Sequence, residues 1–318
     1  MNLVSRYAPS PSGPLHLGNL RTALFAWLQA RWSGADFILR IDDLDAPRTV
    51  PGMADQAIGD LTWLGIDWDQ GPGCKEGKLR ISDTRGPYFQ AACDKYYSVA
   101  FNQLKKFGYL YKCVCSRKEW QSVASAPHSK TRLYPGTCRV PGVEHQQRLD
   151  AGAQYSWRFR GDSFAVTFRD EILGVSARGS EAAVEDFIVR RSDGQFAYHL
   201  ATVVDDARMK VTDVLRGADL VGSTSCQIAL IRALKYKTPR YWHVPLMVDS
   251  KGKRLAKRDG SSSVKEMRNQ GLSRSGILRL MFDKLSGTDN IVFESPQTIL
   301  ESWSLDGLIA SLSCITLA

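Results

Sequence analysis

The sequence predicts an α/β fold with a parallel sheet, an inserted α+β subdomain and a short helical C-terminal part. Three observations carry this prediction. A strand–helix–strand pattern occupies residues 3–41, strand-like and helix-like segments alternate again after residue 185, and a cysteine-rich stretch between them breaks the alternation. The regular alternation indicates a parallel sheet covered by helices, and the break indicates an insertion within it.

The first elements follow from apolar spacing and turn residues. Residues 3–8 form a short strand-like segment that a Pro/Ser/Gly turn ends, and apolar residues at helical spacing follow from Leu20 to Leu28. Ser33 and Gly34 stop this helix, and residues 37–41 form an apolar run of strand length, as in a buried parallel strand. We expect a right-handed βαβ unit here, then a helix over Met53–Leu64 with Gly65 as its cap.

The remaining chain divides at the insertion. Residues 75–185 hold an amphipathic stretch at 96–107 and short alternating segments, and the α/β pattern resumes with residues 187–189, a strand-like run at 197–204 and a helix over 227–234. A polar helix near 264–282 and a last packed helix carrying Trp303, Leu305, Leu308, Ile309 and Leu312 complete the chain. The predicted units are therefore 1–74 and 186–240 for the two halves of the α/β domain, 75–185 for the insertion and 241–318 for the C-terminal part.

Composition bounds the function. The chain has 318 residues, 43% of them hydrophobic and 24% charged, which is typical of a soluble globular protein. No run of 18 apolar residues and no secretory leader is present, so we expect a cytoplasmic protein without a membrane span. The seven cysteines are odd in number and irregularly spaced, which argues against a disulfide framework. The formal charge of +9 fits a nucleic-acid partner and, equally, an ordinary basic enzyme.

Two distant segments indicate polyphosphate binding. Residues 9–19 place a turn, His16 and Gly18 at the entrance of the first helix, and residues 253–258 form a cationic loop that contains Lys257. The free N–H groups and the dipole of a helix N-terminus attract anions, and a lysine adds charge. Taken alone, His16 is most simply an ordinary helix cap, so the pair and its order carry the prediction.

Charged residues lie in, or directly after, three of the predicted strands. Arg6 belongs to the first strand, Asp42 follows the second, and Asp205 with Asp206 follows the strand-like run at 197–204. Ligands bind outside the carboxyl ends of strands in open α/β sheets, so a cation and an anion at this edge suit the two ends of an amino acid. A surface ion pair for Arg6 and a helix cap for Asp42 explain the same residues equally well.

At this point the sequence resembles a family. The run from Pro9 to Asn19 resembles the HIGH motif of class I aminoacyl-tRNA synthetases in its glutamyl form, residues 40–45 resemble the family's Arg-x-Glu-Asp-x-Asp segment, and residues 254–258 resemble its KMSKS loop. Residues 196–206 and 215–220 also resemble glutamyl-type active-site segments. The resemblance extends over residues 3–265, and it implies the Rossmann-type catalytic core of class I synthetases.

The resemblance implies an activity and the residues that perform it. Attack of the glutamate α-carboxylate on the α-phosphate of ATP, which is bound with Mg²⁺, would give glutamyl-adenylate and pyrophosphate, and positioned cations would stabilise the transition state. The family positions that hold ATP correspond to His16, Gly18, Asn19 and Lys257, with His16 and Lys257 as the catalytic pair. Those that hold glutamate correspond to Arg6, Ser10, Asp42, Tyr198 and Arg216.

The sequence departs from the family pattern in three motifs. Asn19 replaces the second histidine of HIGH, Asp42 replaces the usual glutamate, and the KMSKS-like loop has Arg254 and Ala256 while it keeps Lys257. Asp42 is one methylene shorter than glutamate, which weakens its contact with an ammonium group or requires a water molecule. We expect activity to be retained with modest changes in affinity.

The inserted segment contains a candidate zinc site. Cys113, Cys115 and Cys138 offer three thiolates, and a structural zinc ion needs a fourth donor. Ligand chemistry favours His128, whereas the Cys-x-Cys…Tyr-x-x-x-Cys spacing resembles the zinc site of glutamyl-queuosine tRNA(Asp) synthetases and favours Tyr134. We prefer Tyr134, and three buried free thiols are the alternative without a metal.

The acceptor is inferred from the resemblance and from chain length. The stretch after Lys257 is too short to supply the anticodon-binding region of full glutamyl-tRNA synthetases, which indicates a catalytic core that attaches glutamate to the queuosine base in the anticodon loop of tRNA(Asp). The basic surface would hold the anticodon stem and loop of the RNA through its phosphates, and the family prior is a monomer. A truncated synthetase that charges a tRNA 3′ end and a non-catalytic RNA-binding paralogue are the alternatives.

Overall fold

A computed structural model describes residues 2–73, 85–116, 119, 134–176, 184–247 and 263–316. Its strands are β1 (Val4–Tyr7), β2 (Asp36–Leu39), β3 (Leu110–Cys113), β4 (Ser156–Phe159), β5 (Phe168–Asp170), β6 (Gly174–Ser176), β7 (Phe187–Arg190), β8 (Asp213–Gly217) and β9 (Arg240–Val244). Its longer helices are α1 (Leu17–Trp32), α2 (Met53–Leu64), α3 (Asp94–Lys106), α4 (Val143–Asp150), α5 (Tyr198–Arg208), α6 (Val221–Ala233), α7 (Val264–Asn269), α8 (Arg274–Met281), α9 (Pro296–Ser302) and α10 (Leu305–Thr316).

The large sheet is parallel in its central part. Its strand order is β2-β1-β8-β9-β5-β6, and every neighbouring pair is parallel except β5 with β6. The chain runs from β1 outward to β2 and later from β8 outward to β9, so the order reverses between β1 and β8. The carboxyl ends of these two central strands are therefore the expected ligand-binding edge, and the predicted Rossmann-type parallel sheet is confirmed.

A second, antiparallel sheet of three strands lies beside the large one. Its order is β3-β4-β7, and residues 187–189 therefore belong to it rather than to the resumed parallel sheet. Conversely β5 and β6, which fall inside the predicted insertion, extend the large sheet. The predicted boundary between 185 and 186 therefore does not coincide with the division between the two sheets, because short apolar strands carry no sequence signal of which sheet they will join.

The run at 197–204 is helical, which corrects the prediction of a strand. Residues 198–208 form α5, and all seven residues from Leu200 to Asp206 are buried. A helix that is buried on most sides has a continuous apolar sequence, and periodicity cannot distinguish it from a buried strand. Asp205 and Asp206 consequently reach the binding edge from the last turns of a helix.

The C-terminal helices pack on α1. Phe282, which follows α8, lies 5.3 Å from the ring of Phe25, and Trp303 lies 6.1 Å from Trp32, both with edge-to-face geometry. The predicted helix over 264–282 is two helices, because Gly271 adopts a left-handed φ of 85° and Ser273 caps α8. The last helix holds the predicted apolar residues except Trp303, which ends α9. None of the helices in the described ranges combines the length and apolar character needed to cross a bilayer.

Candidate active site

A cavity of about 440 Å³ opens at the carboxyl ends of β1, β8 and β9 beside the first turn of α1. Its position is the point where the strand order reverses, as the sheet topology leads one to expect. Seven of the residues that the sequence singled out line it, drawn from four separate segments of the chain: Arg6, Ser10, His16, Gly18, Asn19, Tyr198 and Arg216. The fold therefore gathers the predicted nucleotide and amino-acid ligands around one space.

His16 is the N-cap of α1 and closes a capping box with Asn19. The Nδ1 atom of His16 accepts from the backbone N–H of Asn19 at 3.3 Å, and the side-chain oxygen of Asn19 accepts from the backbone N–H of His16 at 3.3 Å. Because Nδ1 accepts, the proton of the neutral ring is on Nε2. The Asn19 side chain, a departure from the family motif, thus stabilises the start of the helix, and the backbone N–H of residue 19 fixes the tautomer of His16.

Gly18 leaves room for the His16 ring. A Cβ atom at this position would lie 3.2 Å from Cε1 and 3.3 Å from Nδ1 of His16, closer than side chains ordinarily pack. A residue with a Cβ atom would require the imidazole to shift by a few tenths of an ångström. The glycine therefore serves the histidine as well as the space in front of the helix.

The predicted Lys257, with Arg254 and Ala256, lies outside the described residues, as does His128. The residues that flank the loop on either side are described. Met247 lines the cavity, and the backbone of Ser263 pairs with that of His16 as an isolated antiparallel bridge. Both ends of the segment that contains Lys257 are therefore anchored beside the start of α1.

Arg6 is held at the cavity by a buried ion network. It is 4% exposed, and its Nε lies 3.3 Å from an oxygen of Asp206. The same oxygen accepts from Nη1 of Arg40 at 2.6 Å. Burial raises the pKa of Asp206, but the guanidinium groups of Arg6 and Arg40 outweigh burial and hold it below its usual value. Asp206 is therefore an ionised anchor shared by two arginines.

Asp42 is paired with Arg40 and is not among the residues that line the cavity. Its carboxylate accepts from Nε of Arg40 at 2.7 Å and from Nη2 at 3.3 Å, and its side chain is 6% exposed. Burial raises the pKa of Asp42 to about 6, against the opposing effect of Arg40. The predicted ammonium ligand is therefore held by Arg40 rather than in the wall of the cavity.

Arg216 is fixed by three side chains. Its Nη1 donates to Gln227 at 2.7 Å, its Nη2 to Thr224 at 2.8 Å and its Nε to Nε2 of His243 at 3.1 Å. The guanidinium also lies over the ring of Tyr241, 5.3 Å from its centre. The arginine lines the cavity, and these contacts with neighbouring side chains set the orientation of its guanidinium.

Sequence reasoning missed the residues behind the arginines. His243 and Asp170 were not singled out, and Asp206 was singled out as the end of a strand. A histidine in the apolar strand sequence of β9 was the one available signal, because a buried polar side chain requires a partner. Nothing in the sequence indicates that the partners of this histidine are residues 170 and 216.

The predicted metal ligands come together in the inserted region. The sulfur atoms of Cys113, Cys115 and Cys138 lie within 4.8 Å of one another. The hydroxyl oxygen of Tyr134 is 3.3 Å from the sulfur of Cys113 and 3.8 Å from that of Cys115, and it accepts from the backbone N–H of Cys138. Three thiols and one phenol at these separations fit a four-coordinate site for a thiophilic ion.

Comparison with known proteins places this geometry in a family. Residues 2–292 match the family described as tRNA synthetases class I (E and Q), catalytic domain. The glutamyl-Q tRNA(Asp) synthetase of Symbiobacterium thermophilum is 46% identical over 87% of this chain and 84% of its own length, and that of Nitratidesulfovibrio vulgaris is 42% identical over 86% and 83%.

A solved structure agrees with the sequence relatives. The crystal structure of glutamate-tRNA synthetase from Elizabethkingia anophelis matches with a TM-score of 0.80 and 27% identity. It covers 96% of this chain, which spans 66% of that synthetase. The chain belongs to the class I tRNA synthetases of the E and Q type, a family of ligases, and within it to the glutamyl-Q tRNA(Asp) synthetases.

Proposed function

We propose that this protein activates glutamate with ATP, without tRNA, and transfers it to the queuosine base in the anticodon loop of tRNA(Asp). The observation that carries the proposal is the convergence of Arg6, His16, Tyr198 and Arg216 on one cavity at the switch point of the sheet. The relatives named for this reaction match over most of their own length, which supports the same acceptor.

The nucleotide would bind at the start of α1. The positive end of the helix dipole and the Nε2–H of His16 suit the triphosphate of ATP, which carries Mg²⁺. Lys257, flanked by residues that lie beside His16, would add its charge to the α-phosphate. In the first step a glutamate α-carboxylate oxygen attacks the α-phosphorus, the bond to the β-phosphate oxygen breaks, and pyrophosphate leaves. Positioned donors stabilise the charge that spreads over the phosphate oxygens.

The amino acid would bind between the two arginines. Arg6 and Arg216 are buried cations with N–H groups at the cavity, and a bidentate pair with a carboxylate is their strongest interaction. Ser10 and the hydroxyl of Tyr198 add hydrogen bonds, and Asp42 would reach the ammonium group through a water molecule. This assignment explains why a site for an acidic substrate contains two arginines whose side-chain partners are not among the residues that line the cavity.

Zinc would be structural. The residues that would hold it are Cys113, Cys115, Tyr134 and Cys138, all in the inserted segment, and a bound ion would join the end of β3 to the chain around residue 138. The basic charge of the chain would then serve the phosphates of the anticodon stem and loop. A cytoplasmic monomer is part of the same proposal.

Two measurements test the proposal. Glutamate-dependent exchange between ATP and pyrophosphate in the absence of tRNA is expected, and its absence would leave an RNA-binding paralogue. In the second, glutamylation is compared on tRNA(Asp) with and without queuosine, and the product is treated with periodate. Glutamylation that requires queuosine and leaves the 3′-terminal diol open to oxidation supports the proposal; a diol protected by glutamate would identify a synthetase that charges the tRNA 3′ end.

A further inference from the structure

A buried aspartate–histidine pair lies directly behind Arg216. His243, in β9, is 0% exposed, its Nδ1 lies 2.6 Å from an oxygen of Asp170, and its Nε2 lies 3.1 Å from Nε of Arg216. Asp170, at the end of β5, is 1% exposed. The three side chains form a line from the interior of the sheet to the wall of the cavity.

The hydrogen bonds determine the tautomer of His243. Arginine has donors and no acceptor and stays protonated, so Nε2 must accept from Arg216. The single proton of the neutral ring is then on Nδ1, where it is donated to Asp170. Burial, and after it the charge of Arg216, lowers the pKa of His243 against the effect of Asp170. The ring is neutral and has one fixed direction, with its acceptor towards the arginine.

Asp170 is itself held by the backbone. One of its oxygens accepts from the N–H groups of Ile172 at 3.0 Å and Leu173 at 2.9 Å, and the other accepts from the backbone N–H of His243 at 3.1 Å. A carboxylate with several N–H partners is ionised and has no freedom to rotate. Asp170 therefore has a fixed position from which it can orient His243.

Among the residues that the structure describes, Arg216 has N–H donors left over after these contacts. A guanidinium has five N–H groups, and the three contacts with His243, Thr224 and Gln227 use one on each nitrogen. The two that remain, one on each terminal nitrogen, form a fork. Arginine in solution loses considerable side-chain entropy when it binds a ligand, and a guanidinium that is already oriented avoids that cost.

We propose that His243, oriented by Asp170, is a positioning residue that turns the free N–H fork of Arg216 towards a carboxylate of glutamate. The inference rests on the proposed function, since it takes glutamate as the ligand of Arg216. It adds two residues that do not touch the substrate to the determinants of glutamate affinity. Their effect is on binding, and they leave the nucleotide site at α1 unchanged.

Two substitutions of His243 separate its two nitrogen atoms. In His243→Gln the amide oxygen reaches the place of Nε2 and accepts from Arg216, whereas in His243→Asn the shorter side chain reaches only the place of Nδ1 and keeps the contact with Asp170. We expect the glutamate KM of ATP–pyrophosphate exchange to rise roughly 10- to 100-fold in His243→Asn, the range for a lost hydrogen bond to a charged group. In His243→Gln we expect a rise of about fivefold or less, with kcat and the KM for ATP within about twofold of wild type in both variants.

A residue that only fills space would respond differently. Equal glutamate KM values for the two variants, or a loss of kcat and ATP affinity in parallel with glutamate affinity, would overturn the proposal. Thermal unfolding of both proteins serves as the control for folding. Asp170→Asn gives a second route, because its amide places an N–H group opposite the ring proton; a wild-type glutamate KM in this variant would also overturn the proposal. Absence of exchange in the wild-type protein would instead refute the proposed function.

Discussion

The cavity and the cysteine cluster achieve their geometry in opposite ways. At the cavity, two of the arginines have a partner supplied by the fold: Asp206 for Arg6 and His243 for Arg216. At the cluster, the sulfur atoms of Cys115 and Cys138 lie 3.3 Å apart, and thiols and phenol are one another's neighbours. Thiols are weak hydrogen-bond donors and acceptors, so such a cluster gains most of its stability from an ion. The protein's own side chains orient the arginines of the cavity, whereas the cluster, under the proposed function, would be completed by a zinc ion.

This difference predicts which property each region controls. Changes at the cavity should alter substrate affinity and leave metal content unchanged. Changes at the cluster should alter metal content and stability and leave glutamate affinity unchanged. A substitution in either region that changes both glutamate affinity and metal content would contradict this separation of roles.

The largest effect is expected from Arg216→Ala. The substitution removes the cavity fork together with the hydrogen bonds of the guanidinium to His243, Thr224 and Gln227. The value of kcat/KM for glutamate should therefore fall roughly 10²- to 10³-fold, as for breaking one side of a buried pair. ATP–pyrophosphate exchange measures it, and zinc content should stay at the wild-type level. Arg48→Ala is the matched control, because the Arg48 side chain is 78% exposed; an equal loss in both variants would contradict the assignment.

Cys138→Ser should have the opposite effect, changing metal content and stability but not glutamate affinity. Loss of one thiolate should reduce zinc from about one ion per chain to a small fraction and lower the free energy of unfolding by several kcal/mol. Metal analysis and thermal unfolding measure these changes, and the glutamate KM of the folded protein should remain near wild type. Cys226→Ser replaces another buried cysteine and should keep its zinc. Full zinc content in Cys138→Ser would show that the cluster is not the metal site.

Tyr134→Phe sharpens the comparison within the cluster. It removes one oxygen and keeps the ring under the guanidinium of Arg158, 3.7 Å away. If the phenol is the fourth ligand, zinc affinity should fall about tenfold or more in a competition with a chelator. Unchanged affinity in Tyr134→Phe combined with a loss in His128→Ala would assign the fourth position to His128.

The pH dependence of glutamate binding tests Asp42. The folded protein raises the pKa of this carboxyl to about 6, so the group is protonated and loses its attraction for an ammonium as pH falls below that value. The glutamate KM should rise about tenfold between pH 7 and pH 5. The stability effect has the opposite sense: the folded state holds this proton more tightly than the unfolded chain, so the contribution to stability decreases as pH rises from about 4 to 6. A flat glutamate KM across this range, or a parallel change in the KM for ATP, would contradict the role of Asp42.

Local signals in the sequence gave the elements around α1. The helix Met53–Leu64 ends at Gly65 with a φ of 89°, as predicted, and His16 caps the first helix. These features depend on residues within one turn of each other, so the local sequence is sufficient to predict where each helix begins or ends. The spacing of Cys113, Cys115, Tyr134 and Cys138 is likewise local, and the fold brings the four residues together.

Local sequence patterns did not predict contacts between residues that are far apart in the chain. Arg6 and Asp206 are separated by 200 positions, and Arg40 and Asp206 by 166. The sequence marked the charged residues without their pairing, and it gave no sign that Asp42 pairs with Arg40 in the folded protein. The strength of a buried charge depends on what surrounds it in three dimensions.

The sequence by itself determined the family, the order of the motifs and seven of the residues that line the cavity, because these are properties of residue type and local spacing. The tertiary structure decided that residues 198–208 are a helix, that residues 187–190 join the smaller sheet, and that Asp206, His243 and Asp170 hold the arginines in place. The elements that pack against a buried apolar run decide whether it forms a helix or a strand. The partners within reach of a buried charged residue decide whether it holds another side chain in place or binds a ligand.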